Sequence, residues 1–298
     1  MNVRPFLNSD APIAAHLTTE SVRGQWVYLP EQFGESRDPR RIRLVAERAG
    51  GVIATASFQP FAPGSPDALR LDFAGDAAAF TPLYLALLVR LPTGFSRLLG
   101  VTREDWPEVM HFFHAAGFRN AWQSWGAHLD LTAFGAAPFQ PLEEKLFLQG
   151  YEGERLREDA PESDWEALHA LYRIGLKDAP RNPTTTPDPL TRDGLREVIL
   201  REEAAFVIRF RGEPIASTRL TLRTAAVESE QTVSHPMHRK KGVATVLKAA
   251  ALTWARDQGY GRAETGGTVL NLPMLRVNSR LGYRPEPMWI TWERELQR

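Results

Sequence analysis

The stretch Ser234-His-Pro-Met-His-Arg239-Lys-Lys-Gly242-Val-Ala244-Thr245 carries the residues whose types and spacing best support chemistry. Arg239, Lys240 and Lys241 supply full positive charge. Gly242 leaves room for an anion to approach the backbone closely. If a helix begins at Gly242, the amides of Val243, Ala244 and Thr245 have no acceptor, and the positive end of the helix dipole points outward. Together these make a cradle for a diphosphate. The spacing Arg-x-x-Gly-x-Ala is neither a Walker loop nor a Gly-x-Gly-x-x-Gly dinucleotide fingerprint.

A second set lies just upstream. If Ala225–Val233 is a strand, its side chains alternate faces, and Glu228, Glu230 and Thr232 share one side. A glutamate there takes a proton from an incoming amine if burial raises its pKa; otherwise both are solvent-facing charges. Downstream, Asn271 followed by Pro273 reads as a helix N-cap. His235 and His238 flank Pro236 without a third ligand at useful spacing, so no metal site is expected. The chain has no cysteine, which removes disulfides, thiolate metal sites and a Cys nucleophile.

These residues need elements to hold them. Val243, Val246, Leu247, Ala250 and Trp254 recur at helical spacing, which predicts a helix from Gly242 to Ala255 with one buried face. Phe206–Phe210 and Ile215–Leu222 predict a hairpin across Arg211-Gly212-Glu213. Glu162–Ile174 predicts a helix, and Asp178–Pro189 a Pro-rich loop that reads as a substrate lid. The first half shows the same order: a strand at Val3–Phe6, a hairpin around Gly50-Gly51, a strand at Leu69–Phe73, and a helix at Val109–Ala116. The stops Gly117-Phe118-Arg119 and Gly282-Tyr283-Arg284 mark a weak internal repeat. Between the halves, 134–150 shows no sustained period and reads as a connection. The tryptophans, among them Trp254, Trp289 and Trp292, read as core.

Bulk properties fit this plan. The chain has 298 residues with no net charge, 43% hydrophobic and 24% charged. That length predicts about two domains. The balanced charge offers nothing to nucleic acid or a membrane surface. No apolar run is long enough to span a bilayer and the N-terminus has no signal pattern, so a cytoplasmic protein is expected.

The loop Arg239–Thr245 resembles the acetyl-CoA loop of the GNAT N-acetyltransferase superfamily, whose pattern is Arg/Gln-x-x-Gly-x-Gly/Ala. Glu264-Thr265-Gly-Gly, Asn271-Leu-Pro-Met274 and Asn278-Ser-Arg-Leu-Gly-Tyr283-Arg-Pro285 resemble the last strand–helix–strand unit of that superfamily. The resemblance implies an α/β fold with a mixed sheet and two tandem GNAT-like domains. Residues 1–140 would be a degenerate copy without a CoA loop, because Ala74–Thr81 has no Arg-x-x-Gly and carries Asp76. Residues 150–298 would be the catalytic domain, with acetyl-CoA as co-substrate and an amine of a small molecule or peptide as acceptor.

The resemblance also implies roles. Arg239 to Thr245 would hold the pyrophosphate, backbone near Thr232 and Ser234 the pantetheine, and Asn271 would bond the pantetheine as well. Glu228 matches the general-base position of the histone-acetyltransferase branch, with Glu230 as second candidate. Asn278 stands where many relatives carry a tyrosine that protonates the leaving thiolate, and an amide cannot do that. CoA then leaves as thiolate, or Tyr283 or another group serves. A non-catalytic acyl-CoA sensor is the competing reading.

Overall fold

The computed structural model describes residues 1–34, 36, 38–61, 65–180 and 189–296. In chain order the first half forms β1 (Asn2–Pro5), α1 (Ala11–Ser21), β2 (Ile42–Arg48), β3 (Gly51–Pro60), β4 (Ala68–Gly75), α2 (Phe80–Leu88), β5 (Arg97–Arg103), α3 (Pro107–Ala115) and β6 (Arg119–Asp130). The rest forms α4 (Gln140–Leu148), β7 (Tyr151–Arg155), α5 (Glu162–Asp178), α6 (Arg192–Glu202), β8 (Glu203–Phe210), β9 (Glu213–Leu222) and β10 (Ala226–Ser234). It ends with α7 (Val243–Asp257), β11 (Arg262–Thr268), α8 (Leu272–Arg280), β12 (Arg284–Pro285) and β13 (Trp289–Glu295).

The chain divides into two compact units that do not follow the midpoint of the sequence. One comprises residues 1–123 and 287–296, the other 124–180 and 189–286. The first unit runs β1-β2-β3-β4-β5-β13 and the second β6-β11-β10-β9-β8-β7. The last strand of the chain thus completes the first unit, pairing Trp289–Glu295 antiparallel with Arg97–Arg103. The last strand of the first half completes the second unit, pairing Ser124–Asp130 with Arg262–Thr268. Both sheets mix parallel and antiparallel pairs.

Local chemistry explains the hairpins. Ala49 and Gly50 both have positive φ, as do Arg211 and Gly212, which is the backbone of a two-residue turn matched to strand twist. The segment 134–150 is more than a connection, since it carries α4. Only Leu146 of that helix is buried, so no apolar stripe announces it.

Each unit has its own core. In the first, Phe73, Phe80, Phe112, Phe113 and Trp292 pack together. In the second, the buried face of α7, with Val243, Leu247, Ala251 and Ala255, lies in one cluster with Leu220, Val227 and Ala263 of the sheet. Trp254 is half-buried, its ring 5.5 Å from Phe206 and under the Arg155 guanidinium.

Candidate functional site

The second unit's sheet opens at one place. β10 pairs parallel with β11 only from Ala226↔Arg262 to Ser229↔Thr265. Beyond Ser229, β10 stays paired with β9 through Ser234, while β11 stays paired with β6 through Thr268. Along residues 230–234 the β11-facing edge of β10 therefore has no strand partner among the described residues. A bulge between Ser229 and Thr232 falls at the same point. It inserts one residue, and this reverses the alternation of side chains. Thr232 pairs with Thr218, hydroxyl to hydroxyl at 2.6 Å, on the face of Ser229 and Leu220. Glu228 pairs with Thr221 on the other face. The single face expected for Glu228, Glu230 and Thr232 is thus split, with Thr232 turned away.

The far end of this opening leads to the start of α7. A turn at Pro236–His238 brings the chain to Lys240 and Gly242, at φ 61° and 93°. Gly242 caps α7, and its carbonyl accepts from Thr245 N at 3.0 Å. A Cβ on Gly242 would stand 2.8 Å from Leu142 Cδ2, so both backbone angle and space demand glycine. The amides of Val243 and Ala244, the first two of α7, have no intrahelical acceptor.

The basic side chains are already held. Arg239 Nε donates to Ser234 O at 3.0 Å, and its guanidinium forms an ion pair with Asp178 at the end of α5. Lys241 Nζ donates to Tyr151 OH at 2.9 Å, and that hydroxyl contacts His238 Nδ1 at 3.0 Å. Burial first, then the charges of Lys241 and His235, holds His238 below its ordinary pKa. A neutral imidazole can accept a hydrogen bond from the Tyr151 hydroxyl through Nδ1.

The two expected glutamates differ. Glu228 is half-exposed and pairs with Arg223 at 3.1 Å. Glu230 sits in the bulge and accepts from Thr221 Oγ1 at 3.0 Å. The same hydroxyl lies 3.2 Å from Glu203, which also takes a 2.7 Å bond from Arg219. Burial pushes the Glu203 carboxyl up; Arg219 opposes that and Glu230 adds to it.

Residues 165–283 match the family model described as Acetyltransferase (GNAT) family. No curated protein matches the chain. Solved structures resemble it along its whole length. A GCN5-related N-acetyltransferase from Sphaerobacter thermophilus covers 100% of this chain and 96% of its own, at 14% identity and TM-score 0.65. A tandem GNAT protein from the clavulanic acid biosynthesis pathway covers 99% and 98%, at 17% identity and TM-score 0.56. A glucosamine N-acetyltransferase region of a fungal GH3 β-N-acetylglucosaminidase matches 98% of this chain and 38% of its own, at 13% identity and TM-score 0.62. At such identities the likeness is one of fold, and it supports two GNAT-like domains.

In the matched stretch, Asn271 caps α8, its Oδ1 accepting from Met274 N at 3.4 Å. Asn278 is 1% exposed, and both atoms of its amide lack a hydrogen-bond partner. Tyr283 is buried beside it, with its hydroxyl 3.2 Å from Ser229 Oγ. Burial pushes the Tyr283 phenol up to about 12. The Nζ of Lys248, which is 2% exposed, lies 5.7 Å from the centre of the Tyr283 ring.

Sequence reasoning missed Tyr151, Asp178, Glu203 and Lys248. Lys248 left one signal: it falls on the stripe of Ala244, Ala251 and Leu252, where a lysine breaks an apolar face. The other three come from distant strands or helices and left none. The expected lid falls on 181–188, outside the described residues.

Among the described residues no helix is long and apolar enough to cross a membrane. In the first unit, the position corresponding to the loop holds Asp76, which caps the turn at Ala77–Ala79 and pairs with Arg48 at 2.9 Å.

Proposed function

We propose that residues 150–298 transfer the acetyl group of acetyl-CoA to a primary amine of a small molecule or peptide. The observation that carries this is the partnerless edge of β10 with an amide-lined helix start at its far end. Residues 230–234 span about 16 Å, at about 3.3 Å per residue. That suits an extended arm bearing two amides, added like a strand to a free edge. The diphosphate then falls at Gly242 to Thr245, with Arg239, Lys240 and Lys241 around it. The thioester falls near the bulge, where backbone amides can polarise its carbonyl.

Glu230, in the bulge, is better placed than Glu228 to take the amine's proton, because Glu228 is tied to Arg223 away from the opening. Thr232 and Ser234 serve through their backbone, and Asn271 stands at the mouth between β11 and α8. Glucosamine, for which the fungal relative is named, is a small primary amine of the class proposed here. The first half lacks a CoA loop, and the Asp76 carboxylate where a phosphate would lie supports a bracing role for it.

The test is calorimetry of acetyl-CoA and CoA with wild type and Gly242→Glu. One site per chain, lost in the variant, supports the reading, and a panel of amines follows. No binding in wild type overturns it. The amide at position 278, which donates no proton to a thiolate, favours a second reading: a non-catalytic acyl-CoA sensor. Glu230→Gln separates the two. An enzyme loses turnover while keeping donor affinity, whereas a sensor has no turnover to lose.

A further inference from the structure

Lys248 has no part in the acetyl transfer as proposed so far, yet its position is chemically extreme. It projects from the middle of α7 and is 2% exposed. Among the described residues its ammonium has no carboxylate and no hydrogen-bond acceptor. The ammonium lies over the face of the neutral Tyr283 ring, 5.7 Å from its centre. Burial alone brings its pKa down to about 7, with no neighbouring charge contributing. A buried cation without an anion is costly and calls for one.

The surroundings say where that anion comes from. Tyr283 links Lys248 to Ser229, the last β10 residue paired with β11. Thr265, its partner across the pair, donates to Ser229 O at 3.4 Å. Asn278, whose backbone carbonyl accepts from Tyr283 N at 3.1 Å, adds a buried amide with both atoms unpaired. α7, α8, β10 and β11 thus gather one lone ammonium and one unsatisfied amide around Tyr283, whose hydroxyl meets Ser229 where the opening begins. A donor with its diphosphate at Gly242 and its arm along residues 234 to 230 brings its sulfur to that end. This step rests on the CoA reading of the opening.

We propose that Lys248 is the counter-ion and proton donor of the departing CoA thiolate. The amine nitrogen adds to the thioester carbon and gives its proton to Glu230. The tetrahedral adduct collapses, the carbon–sulfur bond breaks, and its electron pair goes to sulfur. A proton moves from Lys248 Nζ to sulfur. The neutral lysine regains a proton from water once CoA has left, as Glu230 loses one. Tyr283, its phenol pushed up to about 12, is too weak an acid for this step. Tyr283 is the titratable group in contact with Lys248; Ser229, Thr265 and Asn278 do not titrate.

The experiment follows the ultraviolet absorbance of the CoA thiolate bound to the full chain between about pH 6 and 10. In wild type the bound thiol should ionise at least about one pH unit lower than free CoA, a tenfold gain in thiolate. In Lys248→Met that lowering should vanish while CoA still binds. A variant-free arm compares CoA with desulfo-CoA by calorimetry. The preference of wild type for CoA should grow as pH rises and the thiol ionises. Equal affinities at every pH, or a lowered thiol pKa that survives in Lys248→Met, overturns the proposal. CoA binding without a thiol effect defeats this inference alone. Failure of both CoA and desulfo-CoA to bind defeats the CoA reading and this inference with it.

Discussion

Replacing Lys248 by Met should stabilise the unliganded protein, and the gain should depend on pH. The folded-state pKa of about 7 lies below the ordinary 10.5. The drop is about 3.5 pH units, which at about 1.4 kcal/mol each amounts to about 5 kcal/mol. The group is fully buried, so solvent screening does not discount it. The sign follows from linkage: the unfolded chain binds more protons than the folded one between about pH 7 and 10.5, so wild type gains stability as pH rises through that window. Methionine has no charge to bury and nearly the same length. Its advantage should be largest below about pH 7, several kcal/mol, and should fade toward pH 10. That is a large share of a domain's net stability. Urea unfolding of the full chain, followed by circular dichroism at about pH 6, 7.5 and 9, reads this directly. A variant less than about 1 kcal/mol more stable at pH 6, or equally more stable at every pH, would refute the claim that Lys248 is an unpaired buried cation.

Three further outcomes follow from the site. Gly242→Ala should weaken CoA at least about tenfold and cost about 1–2 kcal/mol of stability, because it strains a φ of 93° and drives a Cβ against Leu142; calorimetry and urea unfolding check both, and unchanged affinity would contradict the cradle. Asp178→Asn should tighten CoA by about two- to fivefold at low salt, since it frees Arg239 from a half-exposed ion pair worth about 1 kcal/mol at most; weaker binding would mean that Asp178 positions Arg239 rather than competing for it. Glu230→Gln should cut turnover on any accepted amine by about a hundredfold or more, and Glu228→Gln by less than about tenfold; the reverse order would return the base to Glu228.

The strand, turn and helix around Gly242 were legible in the sequence because their parts are contiguous. A strand, three basic residues, a glycine and an apolar helical stripe fall within about 25 positions, and each speaks through local chemistry. The unit boundaries were not legible. Trp289–Trp292 reads as a strand from its own residues, but nothing local says that its partner is Arg97–Arg103. Strand pairing is settled by long-range packing, and two halves with the same plan each offer an equivalent edge. The α4 helix was missed for a different reason: a surface helix with one buried residue has no stripe to read.

The bulge in β10 shows most clearly how a local reading can misjudge the relation between neighbouring residues. Period-2 alternation placed Glu228, Glu230 and Thr232 together, and that holds only while each residue faces one partner. Between Ser229 and Thr232 the strand carries one residue more than β9 does. Everything beyond changes side. The same residue count that turns Thr232 toward Thr218 leaves Glu230 at the break, where β10 has just parted from β11. An irregularity invisible to alternation thus separates the two candidate bases. It leaves Glu228 paired with an exposed arginine and sets Glu230 where β10 parts from β11. The lone cation of Lys248 approaches that point from the opposite face, through Ser229 and Tyr283. In the proposed transfer, base and acid then stand on opposite faces of one strand, so the proton taken from the amine and the proton given to sulfur travel by separate routes.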